Sequence, residues 1–276
     1  MKKVLGLVIS ERRFGNTELI IKEILGAVTE PCTREMIRLT DYQIGPCRAC
    51  YRCLEPGTAC SVKDDFNFIL NKILEADALV LGFPIYFLGP HAGFKALTDR
   101  MMGAANYAEK TKGKPFVAVI PYGMPGWEGY ARASAMVFPR FLQMRFVDCW
   151  VVHATLPAEG VESPEYKEYA QKLGRELFTA EEYKKGPLEC PYCGSDLFRL
   201  LPGGEVECPL CLARGRLKGD GPNEYTCPEP HRFSPEGLHE HFAGWLVDMK
   251  KKYLTDRERL KEVQKPYRGI NWWVER

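Results

Sequence analysis

Over residues 1–155, five short apolar runs alternate with longer segments of helical period, and this alternation restricts the fold more than any other feature. The runs are KVLGLVI (3–9), REMIRL (34–39), ADALVLGF (76–83), PFVAVIPY (115–122) and FVDCWVVHA (146–154). Strands with near-continuous apolar runs have no solvent face, so the sheet must be covered on both sides, the condition of parallel sheets built from strand–helix–strand units. Between the second and third runs, Phe66, Ile69, Leu70, Ile73 and Leu74 recur at helix spacing behind Asp64 and Asp65, which suit a helix start. Further helices are expected at 16–28, 90–103, 128–145 and about 163–183. The expected architecture is α/β, a doubly wound five-stranded parallel sheet over residues 1–185.

At KKGPLECPYCG the character of the chain changes. Residues 186–233 are rich in Gly, Pro and Cys, with LPGGE as a hairpin turn between two short strands, which reads as a separate small module. Residues 234–276 form a terminal helix and aromatic tail. Leu238, Phe242, Trp245, Leu246, Met249 and Tyr253 make one apolar stripe on that helix. Trp272 and Trp273 are expected to dock on a subunit surface, in a homo-oligomer of two or four chains, because a bare aromatic pair is costly in water.

Charge narrows the partners. The 38 basic and 36 acidic residues nearly cancel, and the module's scattered Arg199, Arg214, Arg216 and Lys218 make no basic stripe, so nucleic acid is not expected. No apolar run is long enough to cross a membrane. The N-terminal MKKVLGLVIS breaks at ERRFGN without a small-residue cleavage site, so it reads as a first strand of a cytoplasmic protein. In that compartment thiols stay reduced, and the clustered cysteines among the chain's 11 point to metal or redox chemistry before disulfides.

Three loops follow strands at one sheet edge. In VISERRFGNTELI, Ser10, Arg12, Gly15, Asn16 and Thr17 lead into a helix, offering backbone N–H groups, hydroxyls and a positive helix end to a phosphate. The simpler reading is that Asn16 and Thr17 cap the helix. GFPIYFLGP (82–90) presents Tyr86 and Phe87 as flat apolar surface, and PYGMPGWEG (121–129) adds Gly123 and a Trp127 wall. In a flavodoxin-type strand order the first two loops flank the switch point between strands one and three, where a flavin mononucleotide (FMN) would sit.

The cysteines fall into two sets. Cys47, Cys50 and Cys53 have the C-x2-C-x2-C spacing of ferredoxin ligands, with Cys60 six residues further on. Either they hold one 4Fe-4S cluster or they work as redox thiols. Cys190, Cys193, Cys208 and Cys211 form two CxxC knuckles separated by fourteen residues, the pattern of a zinc ribbon or of a single rubredoxin-type iron. Cys227 and His231 close behind could replace a ligand but are assigned to packing, and Cys32 and Cys149 to ordinary buried thiols.

The order SERRFGNT, the cysteine run, DDF, ADALVLGFPIYF and FKALTDR resembles the flavodoxin-like NAD(P)H-dependent FMN reductase superfamily. Within it, the likeness is to the iron–sulfur flavoproteins of anaerobic microbes, over roughly residues 1–180. The resemblance implies that Ser10, Arg12, Asn16 and Thr17 hold the FMN phosphate. It also implies that Pro84, Ile85, Tyr86, Phe87 and Leu88 line the ribityl chain and ring, that Gly123 and its neighbours close over the flavin, and that Cys60 completes the cluster. Lys95, Asp99 and Arg100 match its K-x-x-x-D-R and are read as a helix-surface ion pair. The implied activity is electron transfer between a donor such as ferredoxin and an acceptor through cluster and FMN, with no side chain acting as acid or base. An NAD(P)H-dependent FMN or quinone reductase without a cluster, and a redox-sensing regulator using the ribbon as its interaction module, are the alternatives.

Overall fold

In the computed structural model, which describes residues 1–55, 57–216, 224–268, 272 and 274, all five runs are strands of one parallel sheet. Lys218 and Trp273 lie outside the described residues. The chain runs β1 (Lys2–Val8), α1 (Asn16–Gly26), β2 (Cys32–Arg38), α2 (Phe66–Glu75), β3 (Ala78–Gly82) and a small hairpin, β4 (Ile85–Tyr86) with β5 (Gly89–Pro90). It continues with α3 (Ala92–Asp99), α4 (Ala108–Thr111), β6 (Pro115–Tyr122), α5 (Ala131–Phe141), β7 (Arg145–His153), α6 (Glu159–Glu162) and α7 (Pro164–Glu176). The strand order β2-β1-β3-β6-β7 is the flavodoxin-like one, with its reversal between β1 and β3.

The alternation of side chains sorts the apolar runs into two cores. Leu5, Leu7, Leu79, Leu81, Phe116, Ala118 and Ile120 face one side and meet α2, α3 and α5. Val4, Val8, Ala78, Val80, Val117 and Val119 face the other and meet α1 and α7. Each of the valine, leucine, isoleucine and phenylalanine side chains contributes about 1.5–3 kcal/mol by leaving water, so neither helical layer is dispensable. α1 lies close on the sheet because Gly82 has no side chain: a Cβ there would sit 2.7 Å from Thr17 Cγ2 and 3.0 Å from Ile21 Cδ1.

Helix ends depart from expectation where tertiary bonds take over. The segment expected to be helical to residue 103 stops at Asp99 and continues as a 3-10 turn, Met101–Asn106. The helix expected to reach 183 stops at Glu176, after which Tyr183 N donates to Phe146 O at 2.8 Å, tying the return segment to β7.

Beyond the sheet, β8 (Arg199–Leu200), β9 (Glu205–Glu207), β10 (Arg214–Arg216) and β11 (Tyr225–Thr226) form a separate antiparallel sheet. Its first hairpin turns at Gly203 and Gly204, as LPGGE predicts. α8 (Pro235–His239), a π-helical turn over Glu240–Trp245 and α9 (Leu246–Gln264) follow. The expected single stripe is split. Leu238, Phe242 and Leu246 are buried, while Trp245, Met249 and Tyr253 are exposed, because the wider π turn rotates one row away from the core. The buried row joins the four ribbon cysteines, Phe233, and Val137 and Phe141 of α5 in a third core, against which Tyr51 and Leu54 also pack. Trp272 is 87% exposed in the single chain. Among the described residues, no helix is long and apolar enough to cross a membrane.

Replacing Gly82 with Ala should force α1 off the sheet. A loss of about 1–3 kcal/mol in urea unfolding is expected, with strand content by circular dichroism unchanged.

Candidate functional site

The loop after β1 is shaped by an ion-pair clamp. Glu18, in the first turn of α1, accepts from Phe14 N at 2.7 Å, from Lys22 Nζ at 2.7 Å and from the Arg38 guanidinium. Arg38, on the neighbouring β2, also binds Ser10 O at 2.9 Å and Arg12 O at 3.2 Å. The clamp occupies the carbonyls of Ser10 and Arg12, and the positive N-terminal end of α1 follows directly after this loop. Burial pushes the Glu18 carboxyl up, but Lys22, the Phe14 amide and Arg38 outweigh it and bring it down to about 2. The expected phosphate residues divide by position. Ser10 and Thr17 are buried, and Arg12 is exposed with no side-chain partner among the described residues. Asn16 latches the loop to the segment after β7: Nδ2 donates to Ala154 O (3.0 Å) and Leu156 O (2.9 Å), while Oδ1 accepts from Gly160 N (3.1 Å). Gly15, not Asn16 or Thr17, occupies the N-cap position of α1.

The second and third loops are locked into one rim. The β4–β5 hairpin turns at Phe87 and Leu88, both at positive φ (50° and 63°), a conformation that Asn or Gly adopts with less strain. Held this way, Phe87 is 100% exposed, with Tyr86 and Leu88 exposed beside it. Leu88 O accepts from Tyr130 N at 2.9 Å, and Gly129 lies so close that a Cβ would stand 1.9 Å from that oxygen. Met124, Trp127 and Tyr130 extend the exposed apolar surface, and Gly123 O is fixed by Thr155 Oγ1 at 2.7 Å. Pro84 and Ile85 form the partly buried base of the hairpin. A strained turn displaying a fully exposed aromatic ring at a sheet edge suits a planar ligand.

Cys47, Cys50, Cys53 and Cys60 occupy the long segment after β2. Ala49 and Tyr51 take positive φ (46° and 57°) and fold the CxxCxxC run back on itself. The Arg52 amide pulls the Cys50 thiol down, while burial and the nearness of Cys60, Cys47 and Cys50 push Cys53 up. Cys53 therefore senses the other three sulfurs of the loop. Four cysteine thiols, one for each iron, are the donor set of a 4Fe-4S cluster, so the residues present are chemically suited to that group.

Arg100 corrects the sequence reading. Lys95 and Asp99 do pair on the helix surface, but the Arg100 side chain is fully buried. It forks onto Asp64 (Nη1–Oδ2 2.6 Å, Nη2–Oδ1 3.1 Å), donates to Gly45 O at 2.9 Å and reaches Cys60 Sγ at 3.1 Å. Burial pushes the Asp64 carboxyl up, but hydrogen bonds from Arg100, Gly45 N and Phe66 N hold it below its usual range.

In the ribbon the four thiols converge as the spacing predicts. Cys190, Cys193, Cys208 and Cys211 are all buried, and their sulfurs lie within 4.8 Å of one another, with Cys190–Cys211 and Cys193–Cys208 at 3.5 Å. A tetrahedral ion with metal–sulfur bonds of about 2.3 Å needs sulfurs at such separations. Cys227 and His231 gather around Cys211 in a second, three-membered group. Cys149 is buried, which raises its thiol to about 12, whereas Cys32 is only partly covered.

With this geometry in view, the family model described as NADPH-dependent FMN reductase matches residues 2–157. The chain belongs to the NADPH-dependent FMN reductase family. An iron–sulfur flavoprotein of Methanocaldococcus jannaschii is 43% identical over 99 residues, 36% of this chain and 51% of that protein. One from Archaeoglobus fulgidus is 34% identical over 131 residues, 47% of this chain and 59% of that protein. The chain thus spans a little over half the length of these relatives. A flavone synthase of Aspergillus candidus is 29% identical over 286 residues, 88% of this chain and 85% of that protein. A solved structure titled flavone reductase aligns over 99% of this chain and 100% of its own, with a TM-score of 0.78 and 24% identity, so that fold includes the ribbon and terminal helices.

Sequence reasoning missed the Glu18–Arg38 clamp, the contact of Tyr130 with the hairpin and the inward turn of Arg100. Glu18, three positions beyond the cap residue Gly15, carried a legible signal, since a first-turn Glu can reach back to an upstream amide. Because Glu18 is depressed from 4.5 to about 2 on folding, its contribution is present above about pH 4.5 and lost as pH falls through about 2. Glu18→Gln should cost up to about 3 kcal/mol at neutral pH. The variant's unfolding free energy, measured by urea titration from pH 7 to pH 2, should fall less steeply with acid than that of the parent.

Proposed function

We propose that the chain is a flavin-dependent oxidoreductase that holds FMN at the carboxyl edge of its sheet and receives electrons through a cluster bound by Cys47, Cys50, Cys53 and Cys60. The supporting observation is the set of four free thiols in the loop after β2, with Cys53 close enough to feel Cys60, Cys47 and Cys50 and with Cys60 bonded by a buried guanidinium. When bound, the cluster supplies one-electron transfer and the flavin supplies one- or two-electron chemistry. The chain's own part is binding and placement. The α1 terminus with Arg12, Ser10 and Thr17 receives the phosphate, Asn16 keeps that loop closed, and Pro84 to Leu88 with Gly123 and Trp127 flank the ring and exclude water. The ribbon holds zinc and its core braces the cysteine loop through Tyr51 and Leu54, while α9 adds the Lys250–Glu55 contact at 3.0 Å. A ferredoxin-type protein is the donor in this reading, and the working unit is a homo-oligomer in a cytoplasmic setting.

The exposed rim of Phe87, Trp127 and Tyr130 favours a second reading, in which NAD(P)H delivers hydride to FMN and a planar conjugated compound takes it up. The likeness to a flavone synthase over most of the chain points the same way.

Anaerobic purification separates the two. About four irons and four sulfides, with one flavin and one zinc, are expected per chain. Cys60→Ala should lose iron and sulfide but keep zinc and flavin, and Cys208→Ala should lose zinc alone. Zinc and flavin without iron, together with rapid reduction by NAD(P)H, would replace the first reading with the second.

A further inference from the structure

Arg100 spends a fully buried guanidinium on a single spot. The desolvation of such a group is severe unless every strong donor finds an acceptor. Nη1 and Nη2 satisfy Asp64, Gly45 O and Cys60 Sγ, and the Phe66 ring lies 4.5 Å from the guanidinium carbon. Nε is buried without a partner among the described residues. A small cavity is lined by Cys53, Cys60, Arg100 and Tyr107. The bidentate pair with Asp64 sets the plane of the fork, and Asp64 is itself fixed by Gly45 N at 2.8 Å. The remaining Nη2 proton is thereby aimed at sulfur. A carboxylate on the far side leaves the unit near neutral overall, so its effect on the sulfur is local and directional.

We infer that Arg100 is a positioning residue for the cysteine loop: its N–H···S hydrogen bond fixes the Cys60 ligand and raises the reduction potential of a cluster held there. The inference rests on the cluster reading. A cationic donor to a ligand sulfur withdraws electron density from it and stabilises the more negative, reduced cluster, which moves the potential upward. Lysine can keep the charge opposite Asp64, but its single ammonium cannot reproduce the planar fork that binds Asp64 and Cys60 together.

The test uses anaerobically purified full-length protein, with Arg100→Lys as the main variant and Arg100→Gln as the second. Retained flavin confirms folding of either. Iron and sulfide are counted, the cluster midpoint is measured by potentiometric titration with electron paramagnetic resonance, and bleaching by an iron chelator is timed. Both variants should show a more negative cluster midpoint, bleach about 10–100-fold faster and leave the flavin midpoint in place. A folded, cluster-loaded Arg100→Lys variant with parental midpoint and bleaching rate overturns the inference alone. A parent protein without iron and sulfide overturns the cluster reading and the inference with it.

Discussion

A parallel sheet buried on both faces leaves the chain little freedom about where chemistry can go. Its strands have no exposed side, and its helices spend their apolar stripes on the two cores, so polar and strained backbone collects at the carboxyl ends of the strands. The reversal of strand order between β1 and β3 opens the crevice there. The loops after β1, β3 and β6 meet at this edge, each held by a specific bond: the Glu18–Arg38 clamp, the Tyr130–Leu88 contact and the Thr155–Gly123 contact.

The thiol sets divide by the same logic of spacing. Two CxxC knuckles on a β-hairpin bring four sulfurs to within a single ion's reach, and the third core closes over them. The loop after β2 has no hairpin to force such convergence. Left-handed turns at Ala49 and Tyr51 fold it back on itself, and Arg100 anchors Cys60. The two sets also share a wall, because Tyr51 and Leu54 of the loop pack on the ribbon core.

Much of the fold was legible because its signals are periodic. Leu5 and Leu7 against Val4 and Val8, and the Phe66 to Leu74 spacing, announce strand and helix from a handful of residues, and the CxxC pairs announce the ribbon through covalent reach. What escaped depends on partners far apart in sequence. Arg100 looks like the last residue of a surface i,i+4 pattern, and only the arrival of Asp64 and Cys60, 36 and 40 positions upstream, turns it inward. Asn16 looks like a helix cap until the segment at 154–160 supplies three partners. The apolar stripe of the terminal helix was read as regular, and the π turn at Glu240–Trp245 divides it, a defect periodicity cannot reveal.

The central claim is that the two thiol sets hold different centres, one mononuclear and one polynuclear. X-ray absorption at the zinc and iron edges of anaerobically purified protein tests it most directly. The account predicts zinc surrounded by four sulfurs at about 2.3 Å, and iron with both sulfur and iron neighbours. Iron with sulfur neighbours alone, or zinc with no iron in the protein, would contradict it.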